Sequence, residues 1–305
     1  MITSIFSKSK PVNLIIGCAL IIIAFVYHIF FQKDLENLSM AVHGLILFIG
    51  LFYMFITDFI VSKNNLTKRH SFAIMMLGLL FLAIPEAFSD VNLLVANLLV
   101  LFAMRRLLSL HSKKGLIKKF FDAALWIGLA TLFYSWAILY VVVLIVALAY
   151  YWQSEVKYIM VSVFGILTVA ILLILYNVLC KDQFLLLSNF SMAISFDFSV
   201  YNSLSNILKL TIVASVYFWS LVYYLKGISE KNKKMKPSHV LIVIASIVAV
   251  IIAVIAPLKN GNEFVFILVP FAIIVANYLE TIEEKWFKEV FVALLLLVPI
   301  LNLIL

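Results

Sequence analysis

Long apolar runs recur along the whole chain and are separated by short polar or charged segments. A run of about 20 apolar residues is the length that crosses a hydrocarbon core of about 30 Å as an α-helix. Hydrophobic residues make up 65% of the chain and charged residues 12%, whereas a soluble globular chain is about half apolar and a quarter charged. A soluble fold would leave much of this apolar surface in water. We therefore predict an all-α, polytopic transmembrane helical bundle.

The apolar runs predict about eleven membrane-spanning helices in a single transmembrane domain, residues 1–305. The predicted spans are residues 12–31, 41–62, 71–88, 91–104, 121–135, 137–152, 158–180, 205–225, 240–256, 264–279 and 290–305. The runs lack the alternating pattern of a β-barrel, so helices are the structure that satisfies their backbone hydrogen bonds in lipid. Several spans are short, and short spans must be shielded by neighbouring helices or meet thinned lipid.

The basic residues are distributed unevenly between the two predicted sides of the membrane. Lys and Arg concentrate in the short cytoplasmic loops of membrane proteins. With the amino terminus inside, all but four of the 23 Lys and Arg residues lie on the cytoplasmic side; the exceptions are Lys33, Lys181, Lys209 and Lys259. The pattern predicts a multi-pass protein with a cytoplasmic amino terminus and a carboxyl terminus on the opposite side of the membrane.

The densest basic cluster is the predicted cytoplasmic loop at residues 105–120, which contains six Lys or Arg residues and no acid. The charge rule makes this loop a topological anchor. The alternative is a site for anionic lipid headgroups or for a pyrophosphate-bearing lipid. The candidate phosphate-binding residues of the loop are Arg105, Arg106, Lys113 and Lys114. Membrane anchoring accounts for the net charge of +8 without a nucleic-acid partner.

Several motifs of well-known enzymes and transporters are absent from the sequence. It contains no Gly-rich phosphate-binding loop, no zinc-binding pair of histidines on one helix and no nucleophile elbow. The two cysteines and five histidines lack metal-ligand spacing, so we predict no metal site and no cofactor. A sustained internal repeat or a pair of Gly/Pro-broken helices would indicate a secondary transporter, and the sequence contains neither.

Acidic residues on the predicted outer face are the candidates for catalysis. Asp34 and Glu36 follow the first span directly, and Glu86 and Asp90 occupy the very short turn between the third and fourth spans. A carboxylate at the membrane surface can act as a general base, or bind a divalent metal that neutralises a phosphate leaving group. The alternative is that these four residues are ordinary loop acids in contact with water.

The longest predicted outer segment, residues 181–206, alternates Phe, Leu and Ile with Ser, Asn and Asp. This pattern favours a strip that lies in the membrane interface or re-enters the membrane. The segment could line a groove for an isoprenoid or acyl chain, or pack as a lid on the outer face of the bundle. Lys209 follows it and could pair with Asp197 or with a lipid phosphate.

Two stretches of the chain resemble the GT-C superfamily of membrane glycosyltransferases. They are NLLVLFAMRRLLSL followed by FDAALWIGLATLFYSWAILYVVVLIVALAYYW, and NGNEFVFILVPFAIIVANYLE. The resemblance covers about half of the chain. It implies a GT-C-like core and a polyprenyl-phosphate sugar donor, with outer acids at Asp34 or Glu36 and at Glu86 or Asp90. Those enzymes usually have a long first outer loop, so this chain would be a version with reduced outer loops.

The start of the chain, MITSIFSKSKPVN, and the overall pattern resemble an uncharacterised family of integral inner-membrane proteins from Bacteroidota. This resemblance implies a location in the bacterial inner membrane, which puts the predicted carboxyl terminus in the periplasm, and implies no particular activity. One predicted cytoplasmic loop, ETIEEKWFKE, is acidic and contains Glu280, Glu283, Glu284 and Glu289. It could bind a basic partner protein or the chain's own basic loop after the fourth span.

Three classes of function remain open from the sequence. We favour an integral membrane subunit for cell-envelope biogenesis, built on a reduced glycosyltransferase scaffold, which depends on a membrane protein partner or is non-catalytic. The alternative is an active glycosyltransferase that takes sugar from a polyprenyl phosphate at the outer leaflet, with Asp34 or Asp90 as base or metal ligand. A transporter of lipids or small solutes is the third class. Membrane lipids are predicted partners in every case.

Overall fold

The structure, a computed structural model, describes residues 2–31, 39–151, 156–182, 184 and 192–304. The described part of the chain is helical and contains no β-strand. Its α-helices are α1 Ile2–Phe6, α2 Pro11–Phe31, α3 Met40–Lys63, α4 Phe72–Ala83, α5 Val91–Leu108, α6 Leu116–Phe133, α7 Val141–Tyr151, α8 Lys157–Lys181, α9 Leu204–Ile228, α10 Lys236–Ile255, α11 Val265–Thr281 and α12 Lys285–Ile304. Short 3-10 helices are formed by Pro85–Phe88, Ser109–Ser112, Ser135–Tyr140, Ser199–Tyr201 and Asn262–Phe264.

Seven of the described helices are long and apolar enough to cross a membrane, by length and composition. They are α2, α3, α5, α8, α9, α10 and α11, three of them counted with one end residue fewer or with the adjoining 3-10 turn. Two further apolar helical segments, α4 and Ser135–Tyr151, are shorter. Each of the eleven predicted spans overlaps an α-helix. The protein is thus an all-helical, multi-pass membrane protein, and the count of about eleven spans stays a prediction.

Helices α4, α5 and α11 form the centre of the bundle. Helix α4 packs against α2 and α11, α5 packs against α6, and α6 packs in turn against α8. In the most apolar stretch of α11, 78% of the residues are buried, whereas in that of α8 only 22% are buried. Apart from the lysines at its two ends, the exposed side chains of α8 are mostly apolar, among them Phe164, Leu167 and Ile171. An apolar outer surface of this kind is suited to lipid rather than water.

The short spans result from identifiable breaks in the helices. Helix α4 ends at Ala83, and Pro85 then begins a 3-10 turn because proline has no backbone N–H to continue an α-helix. Asp90 starts the next helix, since its Oδ1 accepts a hydrogen bond of 2.7 Å from the backbone N–H of Asn92. The predicted span 71–88 is therefore an α-helix of 12 residues followed by one 3-10 turn.

The two ends of the bundle differ in charge. Lys63, Arg105, Arg106 and Lys119 lie together at one end, which we call the basic end. Glu86 and Glu263 lie together at the opposite end, the acidic end, where Gly261 brings their two loops into contact. The predicted basic loop 105–120 belongs to the basic end and is mostly helical: it contains the end of α5, a 3-10 turn and the start of α6. That this end faces the cytoplasm stays a prediction from the charge rule.

Two glutamates of the acidic segment at the end of the chain have partners inside the protein. Glu280 accepts a hydrogen bond of 3.0 Å from the backbone N–H of Lys68 and lies 2.9 Å from the ring of His70. Glu289 accepts hydrogen bonds from the backbone N–H and the hydroxyl of Thr3, at 2.8 and 2.6 Å. The structure places these two acids against the segment after α3 and against α1. Neither forms an ion pair with a described residue of 105–120, which is the basic loop that we predicted as an internal partner.

Candidate functional site

A buried ion pair joins two distant parts of the chain at the acidic end. Lys209, in the second turn of α9, donates a hydrogen bond of 2.5 Å from Nζ to Oε1 of Glu86, in the turn between α4 and α5. The two side chains are only 5% and 13% exposed. The other carboxylate oxygen of Glu86, Oε2, is buried without a hydrogen-bond partner in the described part of the chain. Lys209 thus pairs with Glu86 and not with Asp197, whose carboxylate accepts from the N–H of Ser199.

A second buried acid, Glu263, lies in the loop before α11 and is fully buried. One of its oxygens accepts a hydrogen bond from the hydroxyl of Tyr201. The other accepts a hydrogen bond of 2.9 Å from the backbone N–H of Gly261. Burial, and next the neighbouring carboxylate of Glu263, raise the pKa of Tyr201 well above its ordinary value. Tyr201 therefore stays protonated and donates to the carboxylate.

Gly261 lies between the two acids, and the contact of their loops requires both its backbone conformation and its lack of a side chain. Its φ of +93° lies in the left-handed region that glycine tolerates at no steric cost. A Cβ atom at this position would lie 2.7 Å from the Cβ of Glu86. The loop before α11 can therefore lie directly against the loop that carries Glu86. This close contact places Glu86, Glu263, Lys209 and Tyr201 in one cluster, which we call the outer polar cluster.

Of the four predicted catalytic acids, two lie in the described part of the chain. Glu86 is a member of the outer polar cluster, and Asp90 caps the amino end of α5. Asp34 and Glu36 lie outside the described residues. Among the residues that are described, no three His, Cys, Asp or Glu side chains come together as a metal-binding group. Sequence reasoning did not single out Glu263 and Tyr201 as site residues.

A segment before α9 covers the acidic end. The indole N–H of Trp136 donates a hydrogen bond of 3.1 Å to the carbonyl oxygen of Ala193. The backbone N–H of Ser195 donates one of 3.4 Å to the carbonyl oxygen of Ile255. Lys259 donates hydrogen bonds of 2.8 and 2.6 Å to two carbonyl groups at the end of α10 and lies 5.0 Å from the ring centre of Phe198. Burial lowers the pKa of Lys259. In the described part of segment 181–206, residues 192–198 thus lie against the acidic end of the bundle.

An apolar cavity of about 230 Å³ lies between α9, α10 and α11, directly beside the outer polar cluster. Its walls come from apolar residues of the three helices, such as Ala214, Val250 and Phe271. Two residues that bind the covering segment to the acidic end, Phe198 and Tyr201, also line the cavity. The cavity therefore ends at a wall that carries the polar groups of the acidic end.

The predicted phosphate-binding residues are divided between the two ends of the bundle. Lys209 lies at the acidic end, whereas Arg105 and Arg106 line a pocket at the basic end together with Lys63 and Lys119. The other two predicted residues, Lys113 and Lys114, are exposed in the turn before α6 and do not line that pocket. The five residues thus do not form one site.

The fold and the buried polar clusters define a multi-pass helical membrane protein with two chemically different ends. The chain belongs to a protein family of unknown function (DUF6427), whose family model matches residues 1–304. This agrees with the predicted membership of an uncharacterised family. Searches of curated proteins and of solved structures give no match. The resemblance to GT-C glycosyltransferases and the assignment to Bacteroidota stay predictions.

Proposed function

We propose that this chain is a non-catalytic, partner-dependent membrane subunit of cell-envelope biogenesis, which binds the apolar chain of an isoprenoid or acyl lipid between α9, α10 and α11. The observation that carries this proposal is the apolar cavity at the acidic end. The assignment to the envelope of a bacterial inner membrane rests on the two sequence resemblances. The acidic end would face the periplasm, as the charge rule predicts.

The contacts of the acids in the described part of the chain support a binding subunit over a transferase. A general base must reach the proton that it removes and must be free to accept it. Glu86 is held by Lys209, and Asp90 accepts from two backbone N–H groups of α5. Glu263 is occupied by Tyr201 and Gly261. If Glu86 were the base of the alternative polyprenyl-phosphate-dependent glycosyltransferase, it would have to accept the proton on its buried oxygen Oε2 or leave Lys209.

The size and lining of the cavity support an apolar chain as the ligand. Pockets for drug-sized molecules measure roughly 300–1,000 Å³ and contain a few polar groups that fix the ligand. This cavity, of about 230 Å³, is smaller and is lined almost entirely by aliphatic and aromatic side chains. It has room for a section of a lipid chain, while the rest of the lipid would lie in the membrane or against the segment that covers the acidic end.

Replacement of Ala214 by Phe tests the proposal, because Ala214 lines the cavity and a phenyl ring would fill much of its volume. The purified full-length protein would be irradiated with a photoactivatable polyprenyl phosphate and, separately, with a photoactivatable fatty acid. Labelled peptides would be identified by mass spectrometry. We expect labelling of α9, α10 or α11 next to the cavity, and at least a severalfold decrease in the Ala214→Phe variant. The more efficient probe identifies the class of chain.

The matched control is Ala170→Phe, which adds the same ring on the exposed surface of α8. We expect this variant to be labelled at the cavity like the original protein. Equal labelling of the cavity peptides in the Ala214→Phe variant, or labelling spread evenly over the lipid-facing helices, would contradict a lipid site in the cavity.

The orientation of the bundle can be tested with single cysteines in a chain whose Cys18 and Cys180 have been replaced. We expect a cysteine at Lys114 to be protected from a membrane-impermeant maleimide in intact cells, because the charge rule places the basic end inside. A cysteine at Leu258, which is 70% exposed at the acidic end, should react. The reverse pattern of labelling would place the acidic end in the cytoplasm and refute the proposed location of the lipid site.

A further inference from the structure

We propose that the basic end contains a second lipid site, which binds an anionic glycerophospholipid of the adjacent leaflet at the junction of α3, α5 and α6. The headgroup phosphate would lie in a basic pocket and the acyl chains in an apolar groove that continues from it. This site lies at the opposite end of the bundle from the cavity between α9, α10 and α11. It stands whether or not that cavity binds a lipid.

The headgroup part is a pocket of about 220 Å³ with four cationic side chains in its lining and no acid. Arg106 is paired with Asp122 at 2.7 Å, and Lys119 donates to the carbonyl of Ser109 and to the hydroxyl of Ser112. The ammonium group of Lys119 has a third donor for a further partner. The remaining two cations, Lys63 and Arg105, form no ion pair with a described acid. The pocket therefore has an excess of positive charge.

The acyl-chain part is a larger groove of about 740 Å³ along α3 and α5. Four aromatic rings line it, and two of them, Phe55 and Phe59, are 51% and 41% exposed. One acid, Asp58, is also in the lining. Phe59, Lys63 and Arg105 line both the groove and the basic pocket. The two spaces are thus adjacent, with cations at their boundary and an apolar surface that leads toward the middle of the membrane.

The position of Arg105 suits a phosphate at this boundary. Its guanidinium carbon lies 4.7 Å from the ring centre of Phe59. An arginine held over an aromatic ring uses the face of its planar group and keeps the N–H donors at the edge for oxygen ligands. The ring therefore fixes the guanidinium at the mouth of the groove, where the phosphate of a lipid with chains in the groove would lie.

The charge complementarity favours an anionic lipid over a zwitterionic one, and the groove favours a lipid over free phosphate. Basic residues at a membrane surface attract anionic lipids. A free phosphate ion could use the pocket but gains nothing from the aromatic groove. A phospholipid uses both parts, so the lipid and the free ion are distinguishable by competition.

The test is a binding titration of the purified full-length protein in mild detergent, followed by microscale thermophoresis. The ligands are dioctanoyl-phosphatidylglycerol, dioctanoyl-phosphatidylcholine and inorganic phosphate. We expect phosphatidylglycerol to bind on the order of tenfold more tightly than phosphatidylcholine, and millimolar phosphate not to displace it. The double variant Lys63→Gln/Arg105→Gln should lose this preference.

The matched control is Lys113→Gln/Lys114→Gln, which removes the same charge from the same end but outside the pocket. It should retain the preference for phosphatidylglycerol. A separate variant, Ser62→Trp, keeps every charge and places an indole in the groove, and it should weaken both lipids. Circular dichroism of each variant checks that it is folded. An equal loss in the control, full displacement by phosphate or unchanged lipid binding in Ser62→Trp would overturn the proposal.

Discussion

Replacement of Lys209 by Met is expected to lower the free energy of unfolding by about 3–5 kcal/mol. Lys209 and Glu86 are 5% and 13% exposed, so water screens their attraction poorly. Without the ammonium group, Glu86 would remain as a buried carboxylate next to the loop of Gly261, with no opposite charge in contact. Breaking a buried pair by removing one partner is therefore much more harmful than losing an ion pair on the surface.

The measurement is unfolding of the purified protein by sodium dodecyl sulfate, followed by circular dichroism. Lys233→Met is the control, since Lys233 is an exposed residue of the turn between α9 and α10 and its replacement should change stability by less than about 0.5 kcal/mol. The double variant Lys209→Met/Glu86→Gln removes both charges and should recover part of the loss. Equal stability of Lys209→Met and the original protein would show that the pair contributes nothing.

The same double-variant cycle bears on the role of Glu86. A strong coupling energy between the two residues means that the protein uses this carboxylate to hold α9 against the turn between α4 and α5. A weak coupling would leave Glu86 available to accept a proton from a ligand, as a transferase with Glu86 as its base requires. The proposed function as a binding subunit thus predicts that Glu86→Gln and Lys209→Met are far from additive.

The positions of the helices followed from the sequence more closely than their ends did. Long apolar runs predict helices because an unpaired backbone group in lipid is too unfavourable, and each predicted span overlaps an α-helix. The ends are set by single residues such as glycine and proline, which the length of an apolar run does not predict. Helix α6 begins at Leu116 after Gly115, which has a φ of +61°, and so includes two lysines that the predicted span left out. Pro85 similarly shortens the third span.

The polar contacts of the site could not be predicted from the sequence. Lys209 and Glu86 are separated by 123 residues, and nothing along the chain indicates that α9 packs beside the turn between α4 and α5. Asp197 is the acid nearest to Lys209 in the sequence, and the predicted pair between these two residues was wrong. One local signal was available for Glu263, because the glycine of NGNEF immediately before an apolar helix suggests a tight loop.

At the basic end, charge density in the sequence was an incomplete guide to the pocket. Arg105 and Arg106 were predicted as phosphate-binding residues and do line it, whereas Lys63 and Lys119 come from other helices and were not selected. The difference arises because side chains converge through helix packing and not through proximity in sequence. A lysine at the end of α3 reaches the same pocket as an arginine at the end of α5.

Replacement of Gly165 by Leu is the second change with a large expected effect, because it would separate α8 from α6. A Cβ at Gly165 would lie 2.8 Å from the Cβ of Ala124 and 2.8 Å from the backbone oxygen of Phe121. Backbone atoms cannot turn away as the end of a flexible side chain can. Small residues let membrane helices approach closely in this way. Since α8 is otherwise mostly exposed, the contact with α6 is its main attachment to the bundle.

We expect Gly165→Ala to lower the free energy of unfolding by about 1–3 kcal/mol and Gly165→Leu by roughly 3 kcal/mol or more, the upper range for overpacking. Detergent unfolding, and protease cleavage before and after α8, would measure the change. Gly44→Leu is the matched control, because Gly44 is also a helical glycine but has no atom within 4 Å of an added Cβ. There the substitution should be neutral or stabilising, since leucine favours the helix more than glycine does. If both leucine variants were equally stable, the close approach of α6 and α8 would not be what holds α8 in place, and its exposed apolar face would need another neighbour.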